Sequence, residues 1–269
     1  MKRLDSLKGK DAIMGKPIRL NRVNLKPIKD KPYTELLFFG DLHYGHPACD
    51  IERAKANINY CLKKKVYVLV MGDLIEAGIK TSVGDSLYMQ KLNPQKQYEY
   101  VEELLRPLAE ARLIIGAHIG NHEARILKET SINLIKIICK TLKIPYLGFA
   151  CWTLAYVGEQ SYTIYSLHGS TGSKFVYTKL KALVDISHNF LADIIAMGHT
   201  HDIVDESTYV QKVDKKRKMV VEQKKYHIIT GHYLKYDDSY AQEKGFAIGK
   251  MGSPKVKLFS EKHDIHVSS

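Results

Sequence analysis

Five apolar runs in this chain each lead into a short glycine-bearing segment that carries aspartate, asparagine or histidine. Leu36-Leu37-Phe38-Phe39 leads into Gly40-Asp41-Leu42-His43. Val66 to Met71 leads into Gly72-Asp73-Leu74-Ile75-Glu76. The run that starts at Leu113-Ile114-Ile115 leads into Gly120-Asn121-His122-Glu123. Tyr162 to Ser166 precedes His168-Gly169, and Asp193 to Met197 precedes Gly198-His199-Thr200-His201. Apolar runs of this length read as buried strands, and glycine suits the tight turn that follows. Each segment then places polar side chains at the carboxyl end of a strand, where open α/β sheets build their sites.

The rest of the chain fits that frame. Residues from about Cys49 to Lys64 read as a helix. Asn93 to Ala111 is amphipathic, with Asn93 as cap, Pro94 in the first turn and Pro107 expected to kink or end it. Ser131 to Leu142 and Lys174 to Phe190 read as two more helices. Alternating strand and helix in the first half implies crossover units around a mainly parallel sheet. The second half is richer in strands. Thr153–Val157 and Tyr162–Ser166 flank a Val-Gly-Glu-Gln turn, and Ser207–Val213 and Met219–Thr230 flank a basic one.

The net charge is +12, and its placement says more than its size. Residues 1–31 hold ten basic and three acidic side chains, and residues 211–225 hold seven and two, so these two segments carry the whole excess. Concentrated positive charge outside a core is what a polyanion-binding surface needs. We read residues 1–31 as a basic extension with short strand-like pieces at most and little regular structure, and 32–269 as one domain with a basic β-hairpin near 207–230. The longest apolar runs are too short to span a bilayer, and Lys2 and Arg3 are followed by no apolar signal-like stretch. Cys49, Cys61, Cys139 and Cys151 form no Cys-x-x-Cys pair, so neither a zinc ribbon nor a disulfide scaffold is expected. A cytoplasmic protein with no membrane partner is the expectation.

Carboxylate, amide oxygen and imidazole together make a donor set that suits Mn, Fe or Zn better than Ca or Mg alone. Asp41 and His43, two apart at a strand end, should project the same way, and His199 and His201 repeat the spacing. Asp41, His43, Asp73, Asn121, His168, His199 and His201 are too many for one catalytic ion with an open position. They suit two divalent ions, most simply Mn with Fe, Zn or Mg as alternatives, sharing one carboxylate.

The order and content of these motifs resemble the calcineurin-like metallophosphoesterase superfamily, over roughly residues 35–205. The resemblance implies a four-layer α/β/β/α fold, two mixed sheets face to face with helices outside. It implies Asp41, His43 and His201 on one metal, Asn121, His168 and His199 on the other, and Asp73 between them. His122 would be the catalytic histidine beside the scissile phosphate, stabilising its charge or protonating the leaving group. The metals would supply a hydroxide nucleophile at neutral pH. Glu76 departs from relatives with Asp or His in that neighbourhood. His168 takes the fourth motif, although His188, His227 and His232 also occur. The stretch from His168 to His201 also resembles the phosphoesterase part of archaeal family-D DNA polymerase small subunits and phage-borne relatives.

Other residues attract substrate-binding readings. His46 follows the first motif, and Glu123 reads as support for His122 or as a helix start. Gly169 to Ser173, with Lys174, Lys179 and Lys181 after it, could face a phosphate. Thr81 to Asn93, with Tyr88, Met89 and Lys91, could shape a single-strand groove. Lys215, Lys216, Arg217 and Lys218 form a cationic tip suited to phosphate-backbone contact. Trp152 and Tyr146 read as packing residues. The leading expectation is a DNA or RNA nuclease with an exonuclease element, with nucleic acid as partner and a homodimer possible. A cyclic-nucleotide phosphodiesterase, a phosphomonoesterase and a non-catalytic accessory subunit are the alternatives.

Overall fold

Strand β2 (Tyr33–Phe39) is buried on both faces, and that double burial sets the layering. Leu36 and Phe38 face one core while Leu37 and Phe39 face another, as the period-two pleat requires. The computed structural model describes residues 20–80, 82, 86–170, 175–237, 239–243, 245 and 247–269.

After β1 (Leu20–Leu25) and β2 the chain runs through α1 (Ile51–Lys64), β3 (Tyr67–Val70), α2 (Ser86–Met89), α3 (Pro94–Glu110), β4 (Ile114–His118), α4 (Asn121–Thr130), α5 (Leu134–Thr141) and β5 (Tyr146–Gly148). It continues through β6 (Ala150–Val157), β7 (Gln160–Leu167), α6 (Val176–Ser187), β8 (Ile194–Met197), β9 (Ile203–Asp214), β10 (Met219–Thr230), α7 (Tyr240–Glu243), β11 (Lys255–Phe259) and β12 (Ile265–Ser268). These strands form two six-stranded sheets, in the orders β12-β11-β2-β3-β4-β5 and β1-β6-β7-β8-β10-β9. The first is parallel from β2 to β5 with an antiparallel edge, and the second mixes both senses. The expected α/β/β/α sandwich is the fold.

Three cores hold it. Between the sheets, Leu36, Phe38, Leu69 and Met71 pack against Ala155, Tyr162, Ile164 and Ile194. On the far side of the first sheet, Leu37, Phe39, Val68 and Val70 meet Ala54 and Ile58 of α1 and Val101, Leu105 and Leu108 of α3. On the far side of the second, α6 covers Ile195, Met197 and Ile229 through Leu183. Tyr165 stacks on Phe190 there and Trp152 meets both rings edge-on, which gives Trp152 a packing role.

Local signals act much as read. Asn93 accepts the Lys96 amide, and α3 continues through Pro107 to Glu110. Asp50 caps α1 by accepting the Arg53 amide. None of the four cysteines is in a disulfide; three are buried and Cys49 is half-buried.

Two readings become more definite. Within the basic extension, residues 20–25 form one of the short strand-like pieces: β1 pairs in parallel with β6 over Leu20–Leu25, burying Leu25. Residues 1–19 lie outside the described residues. Secondly, the helix start read at Glu123 is α4, which begins two residues earlier at Asn121. No helix among the described residues is long and apolar enough to cross a membrane.

Candidate metal centre

Strands β2, β3 and β4 of one sheet and β7 and β8 of the other all end at the same edge of the sandwich. The segments that follow them converge there. Asp41, His43 and His201 form one group whose ligand atoms lie within 4.8 Å of one another; Asp73, His168 and His199 form a second. His43, Asp73 and His122 make a third overlapping group between them. Asn121 joins the second through Oδ1, 3.0 Å from His168 Nε2.

The backbone reaches this arrangement by an unexpected route. Asp41, His43, Asp73, His199 and His201 all have φ between 48° and 67°. They lie past the strand ends, in left-handed turns, so the shared direction of Asp41 and His43 does not come from strand alternation. Left-handed conformations at non-glycine residues cost on the order of 1 kcal/mol or more each and persist where surrounding contacts over-determine them. Here the contacts are visible. Asp41 accepts the His199 amide at 3.0 Å, and the His43 amide donates to the Asp73 carbonyl at 3.0 Å. Gly120 packs so closely that a Cβ there would lie 2.0 Å from Asp73 Oδ1.

Hydrogen bonds behind the centre fix which nitrogen each ring turns inward. His168 Nδ1–H donates to the Met71 carbonyl at 2.8 Å, so its Nε2 lone pair faces Asn121 Oδ1 and, at 3.2 Å, Asp73 Oδ2. His43 Nδ1 bonds the Glu76 carboxylate at 3.2 Å, and its Nε2 lies 3.0 Å from His201 Nε2. His168 Nε2, Asn121 Oδ1 and Asp73 Oδ2 are then acceptors facing one another, an arrangement that a cation between them stabilises. Asp73 Oδ2 is buried without a hydrogen-bond partner, 3.8 Å from His43 and 3.9 Å from His122. His199 Nδ1 is likewise buried and unpaired. The residues thus fit divalent ions, and Asp73 touches both ligand groups.

Electrostatics agree with that fit. Burial opposes charge on His168, but the Asp73 carboxylate outweighs it and pushes the imidazole up to about 10. Burial also opposes charge on Glu76, yet its bond to His43 and the charge of that ring hold the carboxyl down to about 2. Glu76, read from sequence only as a departure, orients His43 as a carboxylate behind a ligating imidazole does.

His122 sits beside this cluster with its Nδ1–H on the Glu76 carbonyl at 2.7 Å. Its Nε2 accepts from Arg125 at 3.1 Å, and burial pushes the imidazole down to about 4. The ring is therefore neutral, and the guanidinium carries the positive charge. Arg125 was not picked out from sequence; its spacing of three from His122 on α4 is the signal that could have found it. Glu123 does not contact His122 through its carboxylate. It accepts the amides of Asp73, Leu74, Ile75 and Gly120, at 3.1, 2.6, 3.2 and 2.9 Å, and so holds the second motif's turn.

Other expected residues divide. His46 and Lys179 line a cavity of about 350 Å³ beside the centre, together with His122, His199 and His201. Its opposite wall comes from the segment between β10 and β11. Lys181 pairs instead with Asp185 on the outer face of α6. His188 caps α6 at its C-terminal end, His227 bonds Ser187, and His232 stacks on His201 at 5.2 Å. The Lys91 amide ties the loop after the second motif to the Gly45 carbonyl, and Tyr88 in it is exposed. Thr171 to Lys174, and residues 81 and 83–85, lie outside the described residues. Lys215, Lys216, Arg217 and Lys218 are not brought to the centre. They cap a hairpin whose strand β9 has 12 residues, a span of roughly 35 Å from its root beside His201.

A sequence model described as calcineurin-like phosphoesterase matches residues 34–236. No curated protein matches the chain. Among solved structures, Vacuolar Protein Sorting 29 from Cryptosporidium parvum aligns over 88% of this chain and 98% of its own, with 17% identity and a TM-score of 0.38. Wild-type Vps29 from Entamoeba histolytica, complexed with zinc, aligns over 87% and 97%, with 14% identity and a TM-score of 0.37.

Proposed function

We propose that this chain, which belongs to the calcineurin-like phosphoesterase family, is a two-metal phosphodiesterase acting on nucleic acid. The observation that carries the chemistry is the buried, unpaired Asp73 Oδ2 with lone pairs of His43 and His168 turned towards it. Asp41, His43 and His201 would hold one ion and Asn121, His168 and His199 the other, with Asp73 shared. Mn suits the mixed oxygen and nitrogen donors. Such a pair lowers the pKa of water and neutralises phosphoryl charge when bound.

The chain's own groups then do the rest. Glu76 and the Met71 carbonyl fix the tautomers of His43 and His168, so each presents a lone pair without reorganising. His122, pinned through Nδ1, keeps Nε2 beside Asp73 and aligned with Arg125. We assign His122 to the scissile phosphate and Arg125 to positioning it. His122→Asn is expected to lower kcat by roughly 100- to 1000-fold, the range for loss of one positioned group that stabilises developing charge, because the His122–Arg125 pair is broken. The metal content should stay at the wild-type level, measured by plasma mass spectrometry. Loss of an ion together with activity would make His122 a ligand instead.

A polymeric substrate is favoured by where the charge lies. The β9–β10 hairpin pairs with β8 only at Tyr226–Ile229, so its outer half extends beyond the sheet as a two-stranded arm. That arm bears Lys212, Lys215, Lys216, Arg217 and Lys218. A cationic arm rooted beside the metal centre suits sequence-independent contact with phosphates. The test is cleavage of end-labelled single-stranded and duplex DNA and RNA with Mn, beside bis-p-nitrophenyl phosphate. Polymer should be cut. Replacing the four tip residues by alanine should lower the ratio of polymer to small-diester rates about tenfold at low salt, since several phosphate contacts go at once. The small cavity beside the centre favours a second reading, a low-molecular-weight diester as substrate. Cleavage of the small diester alone would select it.

A further inference from the structure

The segment between β10 and β11 is fastened over the centre at several points. The Gly231 amide donates to the Asp202 carbonyl at 2.7 Å, and the Gly252 amide to the His232 carbonyl at 2.8 Å. The Tyr233 amide bonds the Asp41 carbonyl at 3.0 Å. A Cβ on Gly249 would lie 2.2 Å from the His201 carbonyl oxygen, so only glycine lets the segment approach this closely. The result is a second wall, facing the metal ligands across the cavity of about 350 Å³.

The two walls differ in chemistry. The added wall carries His232, Lys235 and Ser239 but also an apolar set, Leu234, Tyr236, Ile248 and Met251, and Ile248 is 74% exposed, an apolar side chain left open at the cavity. Two cationic or donor groups at the cavity have no catalytic role, Lys179 on the opposite side and His232 at the start of the added wall. Lys179, on α6, is buried and lies 3.7 Å from Asp202 Oδ2. Asp202 Oδ1 accepts the Lys250 amide at 3.2 Å, so one carboxylate positions both Lys179 and the added wall. His232 Nδ1 accepts the Leu234 amide at 3.2 Å, which puts the proton of a neutral ring on Nε2. That Nε2 is buried and unpaired, near Gly249 but outside hydrogen-bond geometry, and the ring lines the cavity. A buried donor without an acceptor is rare, and one beside a phosphate-handling centre is suited to a ligand oxygen.

We infer that this cavity is a subsite for a single nucleotide unit: Lys179 and His232 Nε2–H take phosphate oxygens, and Leu234, Tyr236, Ile248 and Met251 receive the base. Its volume is at the small end of ligand sites, which run from ~300 to ~1,000 Å³, so it takes one nucleotide and not a base pair. A free nucleotide, a single-strand end or a base withdrawn from its stack could all present that unit. The inference rests on the phosphoesterase reading of the centre, and its test fails separately because it measures binding and not turnover.

The experiment is equilibrium binding of adenosine 5′-monophosphate and of ribose 5-phosphate to the Mn-loaded protein by calorimetry. The adenosine nucleotide should bind about tenfold more tightly, in line with the ~1–3 kcal/mol measured for a base stacked on side chains. Ile248→Asp, at an exposed position that should not disturb folding, should erase that difference. Lys179→Gln should weaken both ligands about tenfold and keep their ratio. Equal affinity of the two ligands for the wild-type protein overturns the subsite. So does a preference that survives Ile248→Asp. Displacement of the nucleotide by a single-stranded decamer but not by a blunt duplex would mark a polymer end as the source of the unit. Displacement only by mononucleotides would mark a free nucleotide. A protein that binds as expected but cleaves nothing sinks the phosphoesterase reading and leaves the subsite standing.

Discussion

Asp73→Asn should leave a folded chain whose hydrolysis of bis-p-nitrophenyl phosphate with Mn has fallen by about 1000-fold or more. Asparagine keeps Oδ1, so the His122 amide, which Asp73 accepts at 2.8 Å, retains its partner and α4 keeps its start. What changes is Oδ2, buried and unpaired, with histidine nitrogens at 3.2, 3.8 and 3.9 Å. An amide group there turns hydrogens towards the His43 and His168 lone pairs and removes the negative charge that both ligand groups share. Metal-derived stabilisation is worth several kcal/mol, and each ~1.4 kcal/mol is a factor of ten in rate, which sets the magnitude. Metal per chain should fall with the rate. In a chelator the variant should unfold below the wild-type temperature, because burial opposes the Asp73 charge but the His168 and His122 rings outweigh it and hold the carboxyl well below its usual range, and that pairing is lost. A variant that keeps its metal and its rate to within tenfold would remove Asp73 from the centre of the mechanism.

Much of this site was legible in the sequence. Asp41, Asp73, Asn121, His168 and His199 each sit just past an apolar run, and a strand end is a local feature. The alternating burial of Leu36 to Phe39 is local too. The illegible parts depend on contacts distant in sequence. Glu76 meets His43 across 33 positions, and His232 stacks on His201 only because the segment after β10 folds back over the centre. Strand β1 looked like part of a basic tail because its residues, Leu-Asn-Arg-Val-Asn-Leu, bury little; its pairing with β6 spans more than a hundred positions. The left-handed turns were hidden for another reason. Aspartate and histidine tolerate positive φ without advertising it as glycine does, so the strand-like reading of Asp41-Leu42-His43 had the right direction and the wrong backbone.

Glu123 offers the sharpest test of how that backbone is held, and Glu123→Gln should lower the unfolding temperature by about 4–24 °C. The carboxylate is fully buried and receives four amides, two at each oxygen. Leu74 and Ile75 donate to Oε1, while Asp73 and Gly120 donate to Oε2. Glutamine preserves the shape but replaces one oxygen by an NH₂ group, so two amide donors then face a donor. Each buried polar group left unsatisfied costs about 1–3 kcal/mol, and two together take about 2–6 kcal/mol from a total stability of only ~5–15 kcal/mol. For a chain of this length, each kcal/mol moves the midpoint by about 2–4 °C. The same change frees the Asp73 turn, whose positive φ these bonds help to hold, so metal affinity should fall as well. Calorimetric unfolding of the metal-free protein isolates the folding effect, since no ion is present to mask it. If that midpoint moves by less than about 3 °C, the four amides find other partners and the turn is held by Gly120 and the strand ends alone. A large shift in the metal-free protein, with weaker metal binding in parallel, makes Glu123 the residue through which the fold imposes the geometry of its centre.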